Sequence, residues 1–490
     1  MPRSAPFVAL LASLLLLAPP IISCARNPVT GKNEIALVSE SQEIEMGKEA
    51  NQQTIQSIGL VNDPQLQAYV SGVGLKMAKA SERPNLPWEF HVVNDASVNA
   101  FALPGGFIFV TRGLLTYIND EAELATVVGH EIGHVTNRHT VQQISKSQLA
   151  GLGLGLGSIL SPTFARYAGV AGQGLQVLFL KYSRDAESQA DLAGFRYALN
   201  QNYDVREMTN VFQTLDRVEA SAGGGKLPNW LPTHPAPADR VTATKARLDT
   251  LHKDLSNSVI DRDGYLQHIK GLTFGEDPRQ GYFEGGRFYH PDLRFQIAFP
   301  DGWQTQNSPE AVMAGSPNQD AIIQLALAGK GSPREAASQF LSQQGVKAGN
   351  GSTSSINGLQ AASSYFEAQS EQGAVQGLVT FISYGGNTYG ILGYTPAGKL
   401  GSYDGVFRQT AGSFSELRDQ AKLSVQAPKV ELVKLTKEMT LAQFNAQYPS
   451  TIPIEQLAII NEVEGPETPI PVGRTVKRVT GGQMPQQTRQ

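Results

Sequence analysis

A chain of 490 residues exceeds the size at which one hydrophobic core stops growing, so two or three domains are expected. Its 41% hydrophobic and 17% charged residues give the profile of an ordinary globular protein and exclude a disordered chain. A formal net charge of −4 with no long basic run leaves no electrostatic case for nucleic-acid binding.

The N-terminus reads as an export signal, with Arg3 as a positive start and Phe7 to Ala18 as an apolar run shorter than a membrane span requires. It leads to Ile21-Ile22-Ser23-Cys24, which resembles a bacterial lipobox. Cys24 is the only cysteine, and an exported protein rarely keeps one unpaired thiol without a use. Cys24 is therefore the expected lipidation site, following a signal peptide over residues 1–23 and anchoring the chain to a membrane. Ordinary cleavage after Ala25 is the alternative, because Ser23-Cys24-Ala25 also fits a small-x-small pattern. Ala25, with no Asp at that position, resembles lipoproteins sent to the outer membrane, so a periplasmic location in a Gram-negative bacterium is expected.

Trp88 to Asn94 and Phe107 to Thr111 read as strands, with Asn99-Ala100-Phe101 between them or at their edge. A sheet edge there can take an extended peptide as an added strand; an ordinary strand–turn–strand is the alternative. A helix begins near Asn119-Asp120, where Asp120 and Glu123 make a capping-box-like start. Leu124, Val127, Val128, Ile132 and Val135 supply its apolar face, and His130-Glu131-Ile132-Gly133-His134 lies on it. Residues four apart share a helical face at about 5–6 Å, so both imidazoles can reach one metal. Glu131 is offset around the helix, where it can hydrogen-bond a metal-bound water and take its proton. A surface helix with two solvated histidines fits poorly, since the motif interrupts an apolar run. Gly129 and Gly133 would let a neighbouring element approach closely.

A catalytic zinc takes three protein ligands and a water. His139 does not complete the metzincin spacing, Asn137 standing where that motif needs glycine, and reads as a capping or structural histidine. Leu149 to Leu160 is laced with glycine and reads as a close-packed helix or loop. Ser183 to Asp191 reads as a second helix capped by Ser183, with Asp185 at its positive end. Glu187 and Asp191 share a face that Ala190 and Gly194 keep thin. Glu187 would complete a two-histidine, one-carboxylate site, and Asp191 would hold the far nitrogen of a ligand histidine. A solvated acidic face is the alternative.

Five segments carry a resemblance: Asn27-Pro28-Val29-Thr30-Gly31, Asn99 to Gly106, the His130 motif through Arg138-His139, Ser183 to Glu187 with Ala190-Asp191, and Thr233-His234-Pro235 followed by Arg240. Together they resemble the gluzincin peptidases of the CAAX prenyl protease and HtpX type, and most closely their soluble periplasmic BepA-like branch. The resemblance runs from about residue 27 to 256. It implies that His130, His134 and Glu187 bind one Zn2+ and that Glu131 is the general base. It also implies that His234, fixed between Pro232 and Pro235, lies near the metal, either stabilising an oxyanion or occupying the water position in a resting state. Arg240 would assist catalysis or pair with an acidic neighbour. Asn99-Ala100-Phe101 is similar to the edge strand that holds peptide in thermolysin-like enzymes. The spanning helices of the membrane-embedded members are not found, which argues against a prenyl-protein substrate.

The remainder reads as accessory. Phe295, Ile297 and Phe299 alternate as a strand, Ser332-Pro333-Arg334-Glu335 is a capping box, and Val379 to Ile382 and Tyr389 to Leu392 flank a Gly385-Gly386-Asn387 turn. Phe299 to Trp303 resembles PsbP/Mog-like domains. Residues near Val430 to Val479 read strand–helix–helix–strand and resemble a LysM domain, which implies peptidoglycan binding; a protein-contact module is the alternative.

The expected whole is an α+β multidomain protein. A mainly helical zincin protease domain with a small edge-exposed sheet covers 24–275, an α/β sandwich-like domain 282–420, a small βααβ module 426–480 and a disordered tail 481–490. The expected activity is zinc-dependent endopeptidase action on cell-envelope polypeptides, in quality control or assembly of outer-membrane proteins. The alternatives are a chaperone-like or scaffolding lipoprotein with a closed metal site and a cell-wall-binding protein. Glu131 favours the enzyme, because a scaffold needs no general base.

Overall fold

The computed structural model describes residues 24–151, 182–221, 237–308, 311–370 and 373–482. After a short hairpin of β1 (Cys24–Arg26) and β2 (Asn33–Ile35), α1 (Glu40–Ile58) starts on a complete capping box between Ser39 and Gln42. α2 (Pro64–Ala78) starts on Asp63, with proline in its first turn. Strands β3 (Glu89–Val93), β4 (Ala100–Leu103) and β5 (Phe107–Thr111) form a sheet in the order β3-β5-β4, with β4 antiparallel to β5 at one edge.

Helix α3 (Arg112–Tyr117) leads into α4 (Glu121–Thr136), which carries the histidine motif. Every residue of α4 from Ala122 to Thr136 is buried, as befits a helix surrounded by the sheet and other helices rather than lying on a surface. The expected cap is present with one change of partner. Asp120 accepts from the Glu123 amide at 2.8 Å, while the Glu123 carboxylate returns to the amide of Asn119 rather than of Asp120.

The next helices are α5 (His139–Gly151), α6 (Arg184–Asn200), α7 (Glu207–Ser221), α8 (Pro237–Asp249) and α9 (Arg262–Ile269). α6 packs on α4 through the small residues anticipated from the sequence. A Cβ at Gly194 would stand 2.7 Å from the His130 amide nitrogen, and one at Gly133 would stand 2.9 Å from the Ala190 carbonyl oxygen. Backbones this close bring groups on the two helices within bonding reach of one metal.

The following segment contains β6 (Tyr282–Glu284), β7 (Arg287–His290), β8 (Phe295–Ala298), β9 (Gln304–Asn307), β10 (Ala311–Gly315), β11 (Ile322–Gly329), α10 (Pro333–Leu341), β12 (Val346–Ile356), β13 (Leu359–Ser370), β14 (Gly373–Tyr384), β15 (Asn387–Pro396), α11 (Leu400–Gly412) and β16 (Ser415–Glu416). They make a seven-stranded sheet, β12-β13-β14-β15-β11-β10-β9, and a four-stranded one, β16-β8-β7-β6. All their pairings are antiparallel. Tight turns rather than helical crossovers join most neighbours; at Gly385-Gly386 both φ angles are positive, as a two-residue hairpin turn demands.

The last segment runs β17 (Lys429–Lys434), β18 (Met439–Thr440), α12 (Leu441–Gln447), α13 (Ile454–Ile460), β19 (Pro469–Ile470) and β20 (Thr475–Thr480), with β17 paired to β20. Its apolar residues Val430, Phe444, Leu457, Ile460 and Val479 belong to the same core as Val70, Ile108, Val128 and Phe212. Among the described residues no helix is long and apolar enough to cross a membrane.

Candidate metal centre

His130 and His134 stand one turn apart on α4 and turn their Nε2 atoms toward each other at 3.0 Å. Glu187, one turn into α6, closes the triangle: its Oε2 is 3.6 Å from His130 Nε2 and its Oε1 3.5 Å from His134 Nε2. All three residues are buried. Donors bound at about 2.0–2.1 Å to one tetrahedral ion stand roughly 3.3 Å apart, so these separations fit a divalent metal.

The groups behind the donors fix their protonation. His130 Nδ1 lies 2.9 Å from Asp191 Oδ1, one turn beyond Glu187 on α6. A proton on Nδ1 donated to that carboxylate leaves the Nε2 lone pair free for a metal. Arg240 on α8 grips the same carboxylate with two bonds, Nε to Oδ2 at 2.9 Å and Nη2 to Oδ1 at 2.5 Å, and its guanidinium lies 4.1 Å above the Phe212 ring. Burial works to raise the Asp191 pKa, but the Arg240 charge and the His130 hydrogen bond outweigh it and hold the group well below the usual carboxylate range.

His134 has its own chain of support. Its Nδ1 lies 3.0 Å from His139 Nδ1, and His139 Nε2 lies 3.3 Å from Gln189 Oε1. With His134 donating from Nδ1 and His139 from Nε2, each ring is neutral and His134 Nε2 faces the metal position. Burial lowers the His139 pKa to about 4, which keeps that tautomer at neutral pH. Tyr182 stacks on the His134 ring at 4.0 Å and bonds Thr140 Oγ1 at 2.8 Å.

Glu131 is buried, and its charge acts on both Tyr182 and Arg240. β4 is one edge of the small sheet, with Ala100, Ala102 and Leu103 buried and Phe101 half-buried; Phe101 stacks on Phe109 at 5.0 Å, and the Asn99 carbonyl accepts from the Thr111 amide at 3.0 Å. Arg240 pairs with an acidic neighbour, Asp191, and its Nη1 also lies 3.6 Å from Glu187 Oε2. His234 and most of Leu149 to Leu160 lie outside the described residues, as do residues 1–23 and the side chain of Cys24.

Sequence reasoning missed a supporting network at the end of α4. Buried Glu43 on α1 receives Arg83 at 2.7 Å and Arg138 at 2.9 Å, and Arg83 also donates to the Val135 carbonyl at 3.0 Å. Asn27 donates to the Asn137 carbonyl at 3.1 Å, which gives the Asn27 segment a structural task at the same helix end. No spacing rule announces these bonds, since they join residues 40 to 110 positions apart. Tyr182 was missed too; it directly precedes the Ser183 cap and belongs to no spacing pattern.

Two histidines four apart and a carboxylate from a second helix, each ring oriented from behind, make a group that could hold one divalent metal. Residues 64–248 match the family described as Peptidase family M48. Among curated relatives, the beta-barrel assembly-enhancing protease of Yersinia pestis is 32% identical over 289 residues, covering 55% of this chain and 59% of its own. The mitochondrial metalloendopeptidase OMA1 of Arabidopsis thaliana is 36% identical over 162 residues, covering 32% of this chain and 31% of its own. The chain spans little more than half the length of the first of these. A solved structure of cyanobacterial PsbP from Synechocystis aligns with 26% of this chain and 91% of its own at 14% identity, with a TM-score of 0.23, too low to assign a fold.

Proposed function

We propose that the chain is a zinc-dependent endopeptidase acting on cell-envelope polypeptides, with one Zn2+ held by His130, His134 and Glu187. The convergence of two imidazole Nε2 atoms and one carboxylate within 3.0–3.6 Å of one another carries the reading. When bound, zinc would bring the pKa of its water toward 7 and polarise a scissile carbonyl. Glu131 accepts the water proton and returns it to the leaving amine. Asp191 holds the His130 tautomer, and Arg240 is a positioning residue that acts through Asp191. An extended substrate adds to the edge strand β4 along Asn99 to Phe101. The names of the relatives, an assembly-enhancing protease and a metalloendopeptidase, support an envelope substrate in protein quality control or assembly. The proposal keeps the lipid anchor at Cys24, the outer-membrane location, the PsbP/Mog-like reading of 282–420 and His234 as the control on site access, all on sequence grounds. The core shared between 426–480 and the peptidase elements supports a contact module there over wall binding.

Cleavage of casein tests the activity. The wild type loaded with zinc should degrade it, and Glu131→Gln should bind the same zinc without doing so. A wild type that holds zinc and is as inert as Glu131→Gln would refute the enzyme and leave the scaffold.

A further inference from the structure

The two ligand histidines are backed in different ways. His130 is held by a carboxylate, that of Asp191, whereas His134 is held by another imidazole, with its Nδ1 3.0 Å from His139 Nδ1. Two like nitrogens at that distance share a single proton, so one ring donates and the other accepts. The choice between them is made on the far side of His139, where Nε2 faces Gln189 Oε1 at 3.3 Å. An amide oxygen only accepts, which sets the His139 proton on Nε2 and leaves His139 Nδ1 as an acceptor. His134 then carries its own proton on Nδ1, and its Nε2, turned toward His130 and Glu187, is left to the metal. A donor in place of that oxygen would reverse the order. His139 would give its Nδ1 proton to His134, and the His134 proton would sit on Nε2, where it blocks the metal.

The backbone is shaped to make this contact. In a continuous helix, residues five apart point about 140° away from each other, so His139 would face away from His134. Instead α4 ends at Thr136, and Arg138 takes a φ of 57°, in the left-handed region, before α5 starts at His139. A residue other than glycine keeps that conformation only where its surroundings fix it. Arg138 Nε donates to the buried Glu43 carboxylate at 2.9 Å and its Nη2 to the Val38 carbonyl at 3.0 Å. The Asn137 carbonyl accepts from Asn27 at 3.1 Å and from Gln142 at 2.8 Å. The reversal returns the His139 ring to the edge of His134, with 5.0 Å between centroids and 74° between planes, while Tyr182 stacks on the His134 face.

We propose, on the zinc reading above, that Gln189 and His139 form a relay that selects the metal-binding tautomer of His134, which makes both of them positioning residues of the zinc centre. Helix α6 then supplies a ligand in Glu187, the partner of His130 in Asp191 and, through His139, the partner of His134 in Gln189.

The test uses the full chain, with zinc affinity measured by competition with a chromophoric chelator. Gln189→Leu and His139→Phe should each bind zinc about tenfold or more weakly than the wild type. Gln189→Glu keeps an acceptor in the same place and should bind zinc at least as tightly as the wild type. Nitrogen-15 spectra of the zinc-free chain read the tautomer itself, with the His134 signals assigned by their loss in His134→Gln. They should show the His134 proton on Nδ1 in the wild type and in Gln189→Glu, and a mixture of tautomers in Gln189→Leu. Gln189 is half-buried and carries the test should His139→Phe fail to fold. Equal zinc affinity in the wild type and a folded Gln189→Leu would overturn the relay. So would a Gln189→Glu as weak as Gln189→Leu, or a His134 proton on Nε2 in the zinc-free wild type. A wild type that takes up no zinc would overturn the zinc reading and the relay with it.

Discussion

Gly194→Ala probes the contact on which the metal centre depends. A Cβ there meets the His130 amide nitrogen at 2.7 Å and Gly129 C and His130 Cα at 3.0 Å, all backbone atoms, where ordinary contact begins at 3.4 Å. Helices α4 and α6 must therefore part by about 0.7 Å, the difference between those distances. Overpacking of this kind costs about 1–3 kcal/mol, and alanine recovers about 1 kcal/mol of helix propensity, so a net loss of about 1–2 kcal/mol is expected. At about 2–4 °C per kcal/mol the thermal midpoint should fall by several degrees. The metal suffers more, because ligand distances tolerate only about 0.2 Å and the parting carries Glu187 and Asp191 away from the histidines. Zinc affinity, measured by competition with a chromophoric chelator, should drop by about tenfold or more. Gly405→Ala on α11, where a Cβ meets nothing within 4 Å, should gain up to about 1 kcal/mol and leave zinc binding alone. A Gly194→Ala protein that melts with the wild type and binds zinc equally well would refute the reasoning.

Glu43→Gln should cost about 3–5 kcal/mol in urea denaturation, because it removes a buried carboxylate shared by Arg83 and Arg138. Arg240→Gln should cost a similar amount at neutral pH by leaving Asp191 without its guanidinium. Because Asp191 has a folded pKa below its ordinary 3.8, its contribution is present above that pH and is lost as pH falls through the lower folded value. The gap between wild type and Arg240→Gln should therefore narrow below about pH 4, as acid titrations of stability would reveal. His290 lies apart from the metal centre, and burial lowers its pKa from 6.5 to about 4 while its Nδ1 accepts from the Leu293 amide at 3.2 Å. The unfolded chain then takes up a proton that the native state refuses, so the wild-type thermal midpoint should fall between pH 6.5 and 4 more steeply than that of His290→Asn.

The candidate metal centre was legible where the chemistry is local. The spacing of His130 and His134 follows from the helical repeat alone, and the glycines at 129, 133 and 194 signalled the close approach, since a Cβ at any of them would stand 2.7–3.1 Å from the facing backbone. Glu187 was a weaker inference, because a carboxylate on a separate helix gains its meaning only when packing brings it to the histidines. The same holds for Arg240: its sequence neighbourhood says nothing of Asp191, 49 positions away. In the second half, alternation and turn chemistry announced β8, β14 and β15, but they carry no information on which strands pair across the sheet. The neighbours β11 and β15 are separated by three intervening strands. The charged cluster at the start of α4 was read only as a cap, since Glu207 and Glu462 reach it through tertiary packing.

The C-terminal module is the place where the local reading and the packing part company. A strand–helix–helix–strand pattern suggests an independent domain, yet this one is woven into the peptidase core. Val430 exchanges backbone bonds with Gly271 and Leu272 at 2.8 and 3.0 Å, and Phe274 donates to the Pro428 carbonyl at 2.8 Å. Arg217 on α7 donates to the Val463 carbonyl at 2.8 Å, Gln456 to the Tyr117 hydroxyl at 2.8 Å, and Lys477 gathers the carbonyls that end α3. Each buried aliphatic or aromatic side chain contributes about 1.5–3 kcal/mol, so losing even a few across such a contact rivals the 5–15 kcal/mol by which a domain is stable. Ending the chain after residue 425 should therefore abolish a cooperative thermal transition of the peptidase part, not merely remove a binding function. A truncated chain that melts at the wild-type midpoint and still holds zinc would refute this and restore an independent domain. The expected collapse also means that a wall-binding assay on such a truncation reads unfolding, and point variants on the exposed face of the module are the sound comparison.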